Sequence, residues 1–288
     1  MNSKVKGPLF MSLSALSFAT MGSFTKALSV YQFSTFQILF FRGIIAGILI
    51  YISCGDKNQI SLGGRSPKGK KLLFLRSLFG VIGAALYFFA ISKINLANAV
   101  LLNNISPFWV IILAWIFLKE KPSKEGLIYL FMIFIGAILV IKPKMDFQVI
   151  YSLLGLASSL FAGAAYTYVR HLRTMDNPKN IVFWFSIYSG IFMIIPMFVY
   201  GFKMPTYYQL ILLGAVGLCS AMGQMFLTMA YKVAPPSEVS IYQYLNIVFA
   251  GIYGIFIWDQ IPDIYSVIGA LIIIGSGFLN FLSIKNKK

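Results

Sequence analysis

The sequence predicts an all-α polytopic membrane protein, with ten transmembrane helices as two inverted five-helix repeats. Three observations lead there. Of 288 residues, 59% are hydrophobic and only 11% charged, whereas soluble domains carry roughly 25% charge. The apolar residues fall into stretches near the length of about 20 residues that crosses a ~30 Å hydrocarbon core. Polar landmarks of the first half recur in the second at a shift of 139 positions.

Taken in order, Met1–Lys6 is a basic flank before the apolar span Gly7–Leu28. A signal peptide would have the same start, with Lys4 and Lys6 as its charged region. The run SLSALSFA resembles GLASSLFA (Gly155–Ala162) at the start of the second half, so the span reads as a retained first helix. Further spans are expected at about 33–53, 72–92, 96–118, 125–141, 149–169, 180–201, 206–231, 237–257 and 264–284. Repeat units of 7–142 and 149–284 follow. The one long connection, Cys54–Lys71, is rich in Gly, Ser, Pro and Lys and reads as a solvated loop.

Lys and Arg placement sets the orientation. With the N-terminus inside, seventeen basic residues fall in cytoplasmic segments and five (Lys26, Lys93, Lys142, Lys144, Lys203) outside, leaving Arg42 and Arg76 within spans. Both termini are therefore expected in the cytoplasm. The net charge of +16 is spread over these connections, as membrane orientation requires, and does not form a nucleic-acid footprint. Cys54 and Cys219 have no metal-ligand spacing, and neither a metal nor a cofactor is expected.

The repeat pairs Tyr87 with Phe226, Lys93 with Lys232, Val100 with Val239, Phe117 with Phe256, Glu120 with Asp259 and Gly136 with Gly275. Five helices per half is an odd number, so the halves must be inserted in opposite senses, the arrangement that supports alternating access. Two interrupted spans stand at matching positions, NAVLLNNISPFWVIILAWIFLKEK (98–121) and EVSIYQYLNIVFAGIYGIFIWDQ (238–260). Such pairs point to a substrate site near the bilayer midplane.

Asn103 and Pro107 are four residues apart, as are Tyr242 and Asn246, so each pair is expected on one helical face. Pro107 frees the carbonyl one turn back, beside Asn103. Asn103, Asn104, Tyr242, Gln243 and Asn246, with Gln224 and Ser17, are the expected cavity lining; the other reading is that these groups join helices by hydrogen bonds. Trp109, Tyr166 and Tyr242 are placed to stack on a planar ring. Arg42 lies near the middle of its span, where a charge costs about 2.5–3.5 kcal/mol. It either pairs an anionic group of the cargo or is a structural arginine bonded to carbonyls. Arg76, at the expected cytoplasmic start of the third helix, reads as snorkelling to headgroups. Acidic residues all sit in connections or at helix ends; Glu238 is the nearest candidate for ion coupling, or else a helix-dipole partner.

The runs FFRGIIAG (Phe40–Gly47) and LRSLFGVIGAALYFFAISKINLANAVLLNNISPFWVIILAWIFLKEK (Leu75–Lys121) resemble the EamA-type ten-helix branch of the drug/metabolite transporter superfamily. The resemblance spans the chain, through Arg42, Leu75–Gly80, Asn98/Ala99, Ser106–Pro107 and Glu120. The second unit departs, with Asn246 opposite Pro107 and Asp259 opposite Glu120. It implies a secondary transporter of a small organic metabolite in the bacterial inner membrane. A vitamin such as riboflavin is the first cargo suggested, and S-adenosylmethionine or amino-acid-like metabolites are the alternatives. An enzyme is not expected: there is one His and no HExxH, GxSxG or paired-carboxylate pattern.

Overall fold

Helix starts follow local signals in the chain. The computed structural model describes residues 3–54, 60–61, 67–106, 108–109, 112–113, 124–141, 148–172, 175–234 and 239–286. Among these are ten α-helices: α1 Ser3–Val30, α2 Thr35–Ile52, α3 Pro67–Lys93, α4 Leu96–Asn103, α5 Lys124–Ile141, α6 Gln148–Leu172, α7 Pro178–Val199, α8 Tyr207–Val233, α9 Leu245–Trp258 and α10 Ile264–Asn286. A 3-10 turn, Ser240–Tyr244, leads into α9. Ser34 caps α2 by accepting from the Gln37 N–H. Asn177 caps α7 with Pro178 in its first turn. Thr206 and Gln209 form a capping box on α8.

Seven segments of the described residues are long and apolar enough to cross a membrane, drawn from α2, α3, α6, α7, α8, α9 and α10. α1 is 28 residues long, and α5 holds a shorter apolar run, Leu127–Ile141. The fourth span is broken where its two amides stand: α4 ends at Asn103, and Asn104 and Ile105 form a turn. The matching break in the second half is the 3-10 turn. The expected loop 54–71 is shorter than proposed, because Pro67 opens α3 and residues 67–71 are helical. Proline is pre-shaped for a first helical position, where its missing N–H has no partner to lose.

The packing repeats between halves. α1 packs on α8 as α3 packs on α6; α2–α8 is matched by α3–α7, and α1–α9 by α4–α6. Three further pairs, α2–α7, α4–α9 and α5–α10, join each helix to its own counterpart. Exchanging each helix for the one five places on therefore returns this set of principal pairs. At two of these crossings glycine allows the backbones to meet. A Cβ on Gly43 would lie 2.6 Å from the Gly190 nitrogen, and one on Gly269 2.7 Å from the Gly136 oxygen. Close approach through small residues is how helices associate in lipid, where apolar burial offers no net drive.

Candidate functional site

α1, α2, α3, α4, α6, α7, α8 and α9 enclose a central cavity of about 70 Å³. No lining residue comes from α5 or α10 among the described residues. Its polar wall is Arg42, Arg76, Tyr87, Asn103, Tyr166, Gln224, Gln243 and Asn246; Phe18, Phe88 and Phe185 supply aromatic faces. Cavities that hold drug-sized ligands measure roughly 300–1,000 Å³. This conformation is contracted, and helices must separate before an organic cargo of that size fits.

Arg42 is 3% exposed. Its Nε donates to Ser220 Oγ of α8 at 2.7 Å, and its guanidinium centre lies 5.5 Å from the Phe88 ring and 5.4 Å from the Phe185 ring. Its Nη1 is buried without a partner. Arg76 is 1% exposed, so it does not snorkel. α3 starts nine residues earlier at Pro67, which places Arg76 about 14 Å along the helix. Its Nη2 donates to Gln224 Oε1 at 2.7 Å, and its charge sits 3.6 Å over the Phe185 ring centre. Its Nε and Nη1 have no partner. The two guanidiniums thus share one aromatic ring, and no Asp or Glu lines the cavity among the described residues.

Asn103, Gln224, Gln243, Asn246 and Arg42 are brought together around this space. Asn103 donates from Nδ2 to Ser158 Oγ of α6 at 2.8 Å. Gln243 Oε1 and Asn246 Oδ1 are buried and unpartnered.

Four expected residues lie elsewhere. Asn104 is buried, but its amide folds back to the Val100 carbonyl of its own helix at 2.8 Å. Ser17 does the same to Leu13, at 2.8 Å; Phe18 and Met21 represent α1 in the wall. Trp109 donates to Ser159 Oγ at 2.7 Å and meets Phe134 edge-on, outside the lining. Tyr242 is 36% exposed. Tyr242 and Gln243 lie in the 3-10 turn and Asn246 in the first turn of α9, so the four-residue spacing no longer aligns Tyr242 with Asn246, and Gln243 lines the cavity with Asn246 instead. Pro107 and Glu238 lie outside the described residues. Arg76, Tyr87 and Phe185 line the cavity as well, beyond the residues that the sequence marks for it. Arg76 carried the same signal as Arg42, a span arginine without an acid nearby, and became legible once Pro67 marked the helix start.

Beyond the cavity, toward the C-terminal end of α1, hydrogen bonds join the two halves. Trp258 Nε1 donates to Ser23 Oγ at 3.0 Å, the hydroxyls of Thr20 and Tyr253 meet at 2.9 Å, and the Leu96 N–H donates to Gln260 Oε1 at 2.9 Å. Lys26 Nζ reaches the carbonyls of Ile91 and Ile94, at 3.2 and 2.9 Å, and closes the end of α3.

A helical membrane bundle around a buried polar chamber defines a polytopic membrane transporter of small molecules, and known proteins agree. The model of the EamA-like transporter family matches residues 5–142 and 149–282; the chain belongs to this family, with two tandem EamA units. It is 31% identical over 270 residues to the pseudopaline exporter CntI of Pseudomonas aeruginosa, covering 93% of each chain. It is 29% identical over 288 residues to solute carrier family 35 member G1 of Mus musculus, covering 94% of this chain and 76% of that one. To the riboflavin transporter of Brucella anthropi it is 28% identical over 208 residues, covering 70% and 73%. A crystal structure 14% identical superposes with a TM-score of 0.66 over 94% of this chain and 98% of the other, which shows the fold.

Proposed function

We propose that the chain is a secondary carrier that moves a small organic metabolite by alternating access, binding it in the central chamber. The observation that carries this reading is the chamber itself: both halves contribute walls, and its lining includes Gln243, Asn246, Arg42 and Arg76, each with a buried polar atom that lacks a partner. Burying such atoms without hydrogen bonds costs about 1–3 kcal/mol each, a cost that a polar cargo offsets. Two oppositely inserted five-helix repeats, 7–142 and 149–284, both termini cytoplasmic, account for the exchange symmetry of the packing and for the bias of Lys and Arg. Similarity to the pseudopaline exporter supports export across a bacterial inner membrane. The inter-half bonds near Ser23 and Trp258 then close the outer side and must break during the cycle.

Riboflavin is the cargo the resemblance first suggests, and the aromatic faces of Phe18, Phe88 and Phe185 suit a planar ring. An amino-acid-like cargo is the second reading, favoured by the two guanidiniums. The test is counterflow of labelled riboflavin, S-adenosylmethionine and amino-acid metabolites in liposomes, with Asn103→Ala and Asn246→Ala beside the parent. Both variants are expected to insert normally and to lose uptake by tenfold or more. Undiminished transport in both removes the proposed site.

A further inference from the structure

Two buried cations beside one ring, with no carboxylate in the wall among the described residues, demand a charge partner. A buried ion is tolerated when it is paired and fully hydrogen-bonded. Here each guanidinium has one side-chain acceptor, Ser220 Oγ or Gln224 Oε1, and N–H groups left over at Arg42 Nη1 and at Arg76 Nε and Nη1. Both acceptors are neutral. Aromatic faces stabilise the charge but offer no lone pair to an N–H in the guanidinium plane. The leftover donors belong to residues that line the same chamber, and a partner entering that space is placed to satisfy them.

The other unpartnered atoms of the lining differ: Tyr87 Oη, on α3, can donate or accept, and two amide oxygens can only accept. Gln243 Oε1 and Asn246 Oδ1 are acceptors without a donor; Gln243 lies in the 3-10 turn before α9 and Asn246 in the first turn of α9, both in the second repeat. Donors without acceptors stand on α2 and α3, in the first. The lining is therefore divided by repeat, with the cations on the first and the accepting amide oxygens on the second.

Taking the chamber to be the cargo site, we infer that its cargo carries two negative charges, as two carboxylates or one phosphate, bound jointly by Arg42 and Arg76. An amine or hydroxyl of the same molecule donates to Gln243 and Asn246. A neutral vitamin leaves both cations uncompensated; a dianion neutralises them and fills the free N–H positions in one step. The charged end contacts the first repeat and the donor end the second, so a bound molecule bridges the two bodies that must move past each other.

The experiment uses the full chain in lipid nanodiscs. Thermal unfolding is followed while glutarate, its neutral diamide glutaramide, or methyl phosphate is added. Stabilisation by glutarate or methyl phosphate and not by glutaramide is the expected result. Arg42→Gln and Arg76→Gln should each weaken the anion about ten- to hundredfold, with Arg42→Lys and Arg76→Lys falling in between. A stronger response to glutarate assigns two carboxylates, and one to methyl phosphate assigns a phosphate head. Should the Gln variants misfold, the Lys variants and the acid–amide contrast on the parent chain still decide. Equal binding of glutarate and glutaramide, anion binding unchanged in the variants, or no anion response at millimolar concentration overturns the inference. If glutaramide binds and Asn103→Ala or Asn246→Ala abolishes that binding, the cargo site stands and only its charge selectivity falls. If counterflow survives both Asn substitutions, the carrier site itself is lost.

Discussion

Gln224→Glu isolates the role of uncompensated charge better than removing an arginine does. Gln224 Oε1 already accepts from Arg76 Nη2 at 2.7 Å, so the substitution keeps shape and hydrogen bond and adds one negative charge in place. Two unit charges 4 Å apart at an effective dielectric of 20 attract by about 4 kcal/mol. An anionic cargo beside Arg76 draws on that same attraction. With the wall already carrying a carboxylate, a loss of even half this amount is about 2 kcal/mol, roughly thirtyfold in Kd. The assay is thermal unfolding with added glutarate, alongside counterflow in liposomes. The expected result is a chain that folds and inserts normally and whose anion affinity falls by about that factor. Glutarate binding as tight as in the parent chain refutes the reasoning, because it means the two guanidiniums are not what the anion senses.

Three other outcomes follow from the geometry. Gly43→Leu forces a side chain into the α2–α7 crossing, where a Cβ already lies 2.6 Å from the Gly190 nitrogen; backbone cannot yield, and thermal unfolding should show a loss of about 1–3 kcal/mol. Gly214→Ala, with nothing within 4 Å of the added carbon, should be neutral or stabilising by up to about 1 kcal/mol. Trp258→Phe removes the bond to Ser23, worth about 1 kcal/mol. It should raise labelling of a Met21→Cys probe by an impermeant maleimide about fivefold, in a background where the free thiols Cys54 and Cys219 are replaced by Ala; an unchanged rate removes this bond from the closure.

Much of the architecture is legible in the chain because lipid leaves few options. Backbone polar groups must be satisfied within the segment, so an apolar stretch of sufficient length is a helix, and most expected spans agree with the helices to within a few residues. The polar breaks at Asn103–Asn104 and Tyr242–Gln243 are legible for the same reason, since amides in a span need a protein surface. Boundaries were less legible. Pro67 extended α3 backward through a run that composition assigned to a loop, and that shift alone moved Arg76 from a headgroup position to the chamber.

Which side of each helix faces the centre is another matter. Asn104 and Ser17 carry the residue types of cavity residues, yet both bond to their own helix one turn back, because a nearby carbonyl satisfies them without a neighbour. Tyr242 and Asn246 are four apart, and a path that is 3-10 at Tyr242 put them on different faces where a continuous α-helix would have put them on one. Span content, repeat register and the excess of span arginines over acids were thus determined by the sequence itself. Helix rotation, and the meeting of Arg42 and Arg76 at the single ring of Phe185, were decided only by tertiary packing, because the residues concerned lie on three helices whose relative phase is set by contacts far apart in the chain.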